Sequence, residues 1–281
     1  MRIAAIQMRS GADPAGNLVA LEPLLRAAAA AGARYVLTPE VTLLFAADVA
    51  QLRAVAAPFA GHAQLARLAA LARELQLYLH VGSLPVPLAD GHFANRSVLY
   101  GPDGAVLASY DKIHLFDAEI AGLAAYRESA TYTAGERAVT APLEAFTLGF
   151  SICYDLRFPA LFQSLAGAGA TLLAVPAAFT VPTGEAHWHV LLRARAIETG
   201  AYVIAAAQGG RHDNGRATFG HSLVVDPWGR VIAELAHDAP GVLVADIEPQ
   251  AVTEARRRLP ALTHARAFAA PGLQGRETPP I

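Results

Sequence analysis

Apolar and polar positions along the chain alternate between two patterns: short runs that are apolar nearly throughout, and longer stretches with helical spacing. "RIAAIQM" reads as a first buried strand, and "LVALEPLLRAAAAAGA" as an Ala-rich helix that Gly32 is placed to end. "RYVLTPEVT" reads as a short strand stopping at Pro39. In "HAQLARLAALARELQL", Leu65, Leu68, Ala69, Ala72 and Leu75 follow the i, i+3, i+4, i+7 spacing of a helix with one buried face. "LYLHVGSLPV" is the next strand.

The pattern then changes. "NRSVLYGPDGAVLASYDKIHLF" is two extended runs around Pro-Asp-Gly, where Pro presets φ and Gly accepts positive φ. The same design returns in "HSLVVDPWGRVIAEL", with Asp-Pro-Trp-Gly at the turn. Each predicted hairpin follows helices and buried strands. This predicts an internal duplication of an αβ unit, with two halves packed sheet on sheet and helices outside.

Between the hairpins the pattern predicts a strand ending at Cys153, a helix from about Pro159 to Gly167, and the strand "TLLAVPAAF". The helix "EAHWHVLLRARAIETG" follows, with Glu185 near its start and Arg193 and Arg195 toward its end, as the helix dipole favours. Trp188, Leu191, Leu192 and Ile197 are its expected buried residues. "AYVIAAAQGG" is another buried strand. The Pro/Gly-rich tail, about 270–281, has no core-forming pattern and is expected to be extended, free to lie on a neighbouring subunit.

Composition narrows the function. The 281 residues are 54% hydrophobic and 16% charged, with a formal charge of −2, which fits a large core and supplies no basic field for nucleic acid or a membrane surface. Arg256, Arg257 and Arg258 read as the solvated or dipole-matched end of a helix. One cysteine forms no intrachain disulfide and suits a reducing cytoplasm. The apolar start is too short for a signal peptide, and no apolar stretch reaches bilayer length.

Cys153 stands at the predicted end of a strand, shortly before a helix whose N-terminus would favour a thiolate. A lone Cys in apolar context is otherwise a small core residue. A strand-to-helix turn presents a nucleophile beside free backbone N–H groups, and the N–H of Tyr154 is the candidate oxyanion donor. His187 and His189 face different directions on a helix and read as structural or surface groups. No cluster has convincing metal spacing. Glu40 and Lys112 are singly ordinary surface charges, but each lies where a predicted strand runs out, so the two could converge with Cys153 at one sheet edge.

At these residues the chain resembles a known family. "TPE" with Glu40, "DKIHLFD" with Lys112 and "GFSICYDLRFP" with Cys153 resemble the three signatures of the nitrilase superfamily, the carbon–nitrogen hydrolases with a Glu-Lys-Cys triad. The resemblance runs from "AAIQM" to "RRRLP" and includes "AHWHVLLRARAIETGAYVIAAAQGGRH" and "GHSLVVDPWG". It implies an α/β fold of the αββα sandwich type, one domain over 1–281, and association into a homodimer or larger homo-oligomer. It maps the family's second glutamate onto Glu128 in "YRESATYTAG". It implies hydrolysis of a small-molecule amide through a thioester, with no metal or organic cofactor. The catalytic set would be Glu40, Lys112, Cys153 and Glu128.

The run Tyr-Asp-Leu-Arg-Phe-Pro after the cysteine resembles the Nit branch, which holds two close activities: hydrolysis of 2-oxoglutaramate (ω-amidase) and of deaminated glutathione, giving 2-oxoglutarate and cysteinylglycine. "AAAQGGRHDNGRATFGHS" resembles the second more closely. Both substrates carry a carboxylate beside a keto group. Arg157 could pair with it or form a structural ion pair with Asp155. Phe116 and Phe179 could wall the pocket or belong to the core. The branch leads one to expect Pro at position 185 and Glu at 189, where this chain has Glu185 and His189. Two other readings stay open: a scaffold that keeps the triad without using it, and a cysteine protease, which requires a His near Cys153.

Overall fold

A computed structural model describes residues 1–120 and 125–269. In chain order, the first half contains β1 (Arg2–Gln7), α1 (Pro14–Ala30), β2 (Tyr35–Leu37), α2 (Val49–Val55), α3 (Ala63–Leu75), β3 (Tyr78–Pro87), β4 (Phe93–Tyr100) and β5 (Val106–Asp111). Two short strands, β6 (Asp117–Ala118) and β7 (Tyr126–Arg127), follow. The second half contains β8 (Thr140–Leu143), β9 (Phe146–Phe150), α4 (Pro159–Gly167), β10 (Leu172–Ala177), α5 (Val181–Thr199) and β11 (Tyr202–Ala207). The remaining elements are β12 (Gly209–Arg211), β13 (Ala217–Phe219), β14 (Leu223–Val225), β15 (Val231–Glu234), β16 (Gly241–Asp246) and α6 (Pro249–Arg258).

Two six-stranded mixed sheets dominate, ordered β16-β1-β2-β3-β4-β5 and β15-β14-β11-β10-β9-β8. Their designs match. In the first, β1, β2 and β3 are parallel, β4 and β5 continue antiparallel, and β16 closes the other edge antiparallel. In the second, β9, β10 and β11 are parallel, β14 and β15 continue antiparallel, and β8 closes the other edge. Both predicted hairpins form at equivalent places, as a duplicated αβ unit requires.

Period-two alternation explains the layers. Ile3 and Ala5 of β1 face the second sheet, where they join Phe150, Leu172, Ala174 and Ile204 in one core. Ala4 and Ile6 face the other way and pack with Leu21 and Leu25 of α1 and Leu65 and Leu68 of α3. The second sheet's outer face, with Leu173, Val175 and Val203, packs on Phe162 of α4 and on Trp188 and Leu192 of α5. The stack is helix–sheet–sheet–helix. Strands covered on both faces read as continuous apolar runs, which is why the sequence marked them.

Several boundaries differ from the sequence reading. α1 begins at Pro14, because Asp13 caps it by accepting from the Ala15 N–H at 3.0 Å. β9 ends at Phe150 rather than at Cys153. On α5, Ile197 is 55% exposed, not buried as expected, while Arg195 is buried. Arg195 donates to the Leu156 carbonyl and to Glu198 and lies over the Phe162 ring, so packing turns that face inward. Arg257 and Arg258 pair with Glu254 at the surface, but Arg256 donates to the carbonyls of Thr199 and Ala170. The tail at 270–281 lies outside the described residues. Among the described residues no helix is long and apolar enough to cross a membrane.

Candidate active site

The topology delivers three sequence-flagged residues to one place. β4 reverses from β3 and β5 reverses again, so β5 ends at the same edge as β2. Glu40 lies just past β2 and Lys112 directly follows β5. In the second sheet, Cys153 lies just past β9 and Ala178 directly follows β10, which runs parallel to it. The Ala178 N–H donates to Oε2 of Glu40 at 3.0 Å, fastening the C-terminal edges of the two sheets together.

Close packing shapes each turn. A Cβ at Gly82 of β3 would overlap the carbonyl oxygens of Thr38 and Pro39, so only glycine lets β3 approach the Glu40 loop. Cys153 has φ +49°, a left-handed conformation uncommon outside glycine, and opens a single 3-10 helix over Cys153–Arg157. Asp155, fully buried, holds that turn. Its oxygens accept from Tyr110 Oη at 2.7 Å, the Ile152 N–H at 2.8 Å and the His114 N–H at 3.0 Å, with His114 Nδ1 at 2.7 Å. The cysteine turn is thereby tied to the loop that carries Lys112.

Lys112 is buried between two acids. Its ammonium donates to Glu40 Oε1 at 2.9 Å and to the two Glu128 oxygens at 3.0 and 2.9 Å. Burial disfavours its charge, but the charges of Glu128 and Glu40 outweigh burial and hold its pKa well above the ordinary lysine range. Glu128 also accepts from the Phe116 N–H at 2.6 Å. Asn95 Nδ2 donates to Glu40 Oε1 at 3.0 Å and to Glu128 Oε1 at 3.3 Å, bridging the acids.

A helix start would favour a thiolate at Cys153, but its surroundings act the other way. Burial and then the charge of Glu40 push its pKa well above the usual cysteine range, against weaker opposing pulls from Lys112 and the Ala178 N–H. The raised pKa favours the thiol form beside the Glu40 carboxylate. The side chain is only partly exposed, and its open side faces a cavity of about 290 Å³ that Glu40, Lys112, Glu128 and Asn95 also line.

The structure divides the expected substrate-binding residues between two spaces. Phe116 walls the main cavity, edge-on to Tyr154 with ring centroids 5.0 Å apart. Arg157 and Phe179 instead line a recess of about 20 Å³, with Thr183, that shares Cys153 and Phe116 with the cavity. Phe179 is also a core residue, 4.9 Å from Trp188 between ring centroids. Arg157 lies over the Phe179 and Tyr154 rings and donates to His187 Nδ1 at 3.1 Å. It forms no ion pair with Asp155, whose oxygens are taken by Tyr110, His114 and Ile152. Glu185 is exposed, and His189 reaches Glu234 at 2.7 Å; neither lines the cavity. Among the described residues no histidine lines either space. Among the described residues no group of three or more His, Cys, Asp or Glu converges to hold a metal.

Sequence reasoning missed Asn95, Asp155 as a clamp, and Arg216, which also lines the cavity. Asn95 had a signal: with Ser97 it puts polar groups on one face of a strand buried everywhere except at Arg96, and buried polar groups need partners.

The profile of the carbon-nitrogen hydrolase family matches residues 2–257. The deaminated glutathione amidase of Yersinia enterocolitica is 40% identical over 267 residues, covering 94% of this chain and 92% of that protein. The omega-amidase NIT2 of Mus musculus is 35% identical over 272 residues, covering 95% of each. Among solved structures, the C. elegans NitFhit protein superposes with a TM-score of 0.86 at 35% identity; the match covers 94% of this chain and 65% of that longer one.

Proposed function

This chain belongs to the carbon–nitrogen hydrolase family of the nitrilase superfamily, and on that premise we propose that it is an amidase using Cys153 as nucleophile, with deaminated glutathione as substrate. The observation that carries the proposal is the buried Lys112 ammonium clamped by Glu40 and Glu128 at the wall of the cavity onto which Cys153 opens.

Glu40 takes the thiol proton, and the sulfur forms a bond to the amide carbonyl carbon. The carbonyl oxygen becomes an oxyanion that accepts from Lys112 Nζ and from the Tyr154 N–H, which lies in the first turn of the 3-10 helix where backbone donors lack intrahelical partners. The C–N bond breaks, and Glu40 returns the proton to the leaving amine. Glu40 then takes a proton from water as its oxygen attacks the thioester. The acid leaves, and the sulfur recovers its proton. Lys112 stays an ammonium throughout, and Glu128 positions it without exchanging a proton.

The relatives' names support the substrate class, and the cavity supports the larger of the two candidates. Hydrolysis of 2-oxoglutaramate releases only ammonia, whereas deaminated glutathione releases a dipeptide, for which the cavity of about 290 Å³ beside Cys153 has room. Arg157, in the small recess beside Cys153, is the partner for the acyl carboxylate.

We read 1–281 as one domain, because β1 and β16, near the two ends of the described chain, pair in one ladder. Homo-oligomer formation in the cytoplasm remains our reading. Supporting association, Val190 and Ile197 of α5 and Trp228, Val231 and Ile232 of the β14–β15 hairpin are exposed apolar side chains, and Arg193 of α5 donates to the Gly229 carbonyl of that hairpin.

The test is release of 2-oxoglutarate from deaminated glutathione, run beside 2-oxoglutaramate, with Cys153→Ala as control. A preference for the first, abolished in the variant, is expected. A preference for the second moves the protein to ω-amidase, and hydrolysis of neither overturns the substrate class.

A further inference from the structure

The cavity holds one cation that this mechanism leaves unused. Lys112 is committed to two glutamates, and Arg127 to Glu119 at 2.9 Å. Arg216 lines the same cavity, and among the described residues it has no carboxylate within ion-pair distance. Instead its guanidinium lies 5.3 Å from the Phe45 ring centroid and 5.9 Å from that of Tyr126. Asp48, the acid on that wall, is turned to the Gln51 N–H at 2.8 Å.

Arg216 is also held in place. The turn between β12 and β13 that carries it is pinned by the Arg216 N–H to Asn214 Oδ1 at 3.0 Å and by Asn214 Nδ2 to the Phe45 carbonyl at 2.9 Å. Two ring contacts and a fixed turn reduce the entropy a bound anion would have to overcome.

Position completes the argument. Cys153, Phe116, Ala178 and Thr180 line both the recess of Arg157 and the cavity of Arg216. Read with its acyl carboxylate at Arg157, an amide whose carbonyl carbon meets Cys153 has its other half left for the larger space that Arg216 lines. The acyl carboxylate belongs to Arg157, so the amine half enters the larger space.

We infer that Arg216 binds a carboxylate on the leaving amine, which makes the substrates amides of amino acids or short peptides rather than of ammonia. The inference rests on the acyl-side reading given above.

The test compares deaminated glutathione with its analogue capped as a C-terminal amide, in wild type, Arg216→Gln and Arg216→Lys. Wild type is expected to favour the free acid by about 10- to 100-fold in kcat/KM, mostly through KM, as for a charge-assisted hydrogen bond. R216Q is expected to bring that ratio within about 3-fold, and R216K, which keeps the charge but not the planar fork, to fall between. Hydrolysis of both compounds without preference in wild type, or an unchanged preference in R216Q, overturns the Arg216 inference and leaves the amidase reading intact. If neither compound is hydrolysed, the proposed function fails, and calorimetry on Cys153→Ala decides Arg216 separately. Cysteinylglycine binding tighter than its C-terminal amide, with the difference lost when Arg216→Gln is added, upholds the inference; equal binding overturns it.

Discussion

Replacing Glu128 with Gln tests whether the second glutamate holds Lys112 in service or is a loop charge. The carboxylate accepts two hydrogen bonds from Lys112 Nζ, one from the Phe116 N–H and one from Asn95 Nδ2. Gln offers one oxygen and turns an N–H₂ toward these donors. Two opposite charges 2.9 Å apart attract by about 6 kcal/mol at an effective dielectric of about 20. Among the charges that hold Lys112 protonated against burial, Glu128 contributes most, ahead of Glu40 and Cys153. With it gone, the largest opposition to burial is lost, and the lysine pKa should fall. The sign follows. Lys112 must be charged to stabilise the oxyanion, so activity persists up to the folded-state pKa and is lost above it. In wild type that pKa is raised well above the lysine range, so the same group contributes stability that is full below its unfolded-state pKa and lost only as pH rises through the folded-state value. In E128Q the alkaline limb of the kcat profile should therefore move to lower pH, and kcat near neutrality should fall about 100- to 1,000-fold, the usual effect of losing one oxyanion donor. KM should change far less. Steady-state kinetics across pH, with thermal unfolding to check folding, make the measurement. A variant that keeps kcat within about 3-fold and the wild-type alkaline limb refutes the role given to Glu128.

Two further substitutions probe the frame around the site. Asp155→Asn removes the charge that accepts from Tyr110, Ile152 and His114, and urea unfolding should show a loss of about 1.5–3 kcal/mol with reduced kcat; unchanged stability would mean that Asp155 does not hold the cysteine turn. Gly82→Ala forces a methyl group against the Thr38 and Pro39 carbonyls and should cost about 1–3 kcal/mol while displacing Glu40, so kcat should fall even at temperatures where the protein stays folded; full activity would contradict the close approach.

What the sequence made legible follows from which forces are local. Strands buried on both faces announce themselves as apolar runs, and Pro-Asp-Gly and Asp-Pro-Trp-Gly announce turns, so both hairpins and both halves could be read. Glu40, Lys112 and Cys153 were legible because they stand at strand ends, and parallel strands deliver their ends to one edge. The orientation of α5 was not, because Arg195 is drawn inward by the Leu156 carbonyl and the Phe162 ring, partners that no helical periodicity records. Asn95, Asp155 and Arg216 were missed for the same reason. Each acquires its meaning from a residue far away in the chain: Asn95 from Glu40, Asp155 from Tyr110, Arg216 from Phe45. The nucleophile's protonation state was the subtlest of these cases. A neighbouring helix start argued for a thiolate, yet the fold brings the Glu40 carboxylate to Cys153 and buries the thiol, and both oppose its ionisation. On the proposed mechanism that reversal has a use: the carboxylate that opposes ionisation of the thiol stands where it could take the proton as the sulfur attacks an amide carbonyl.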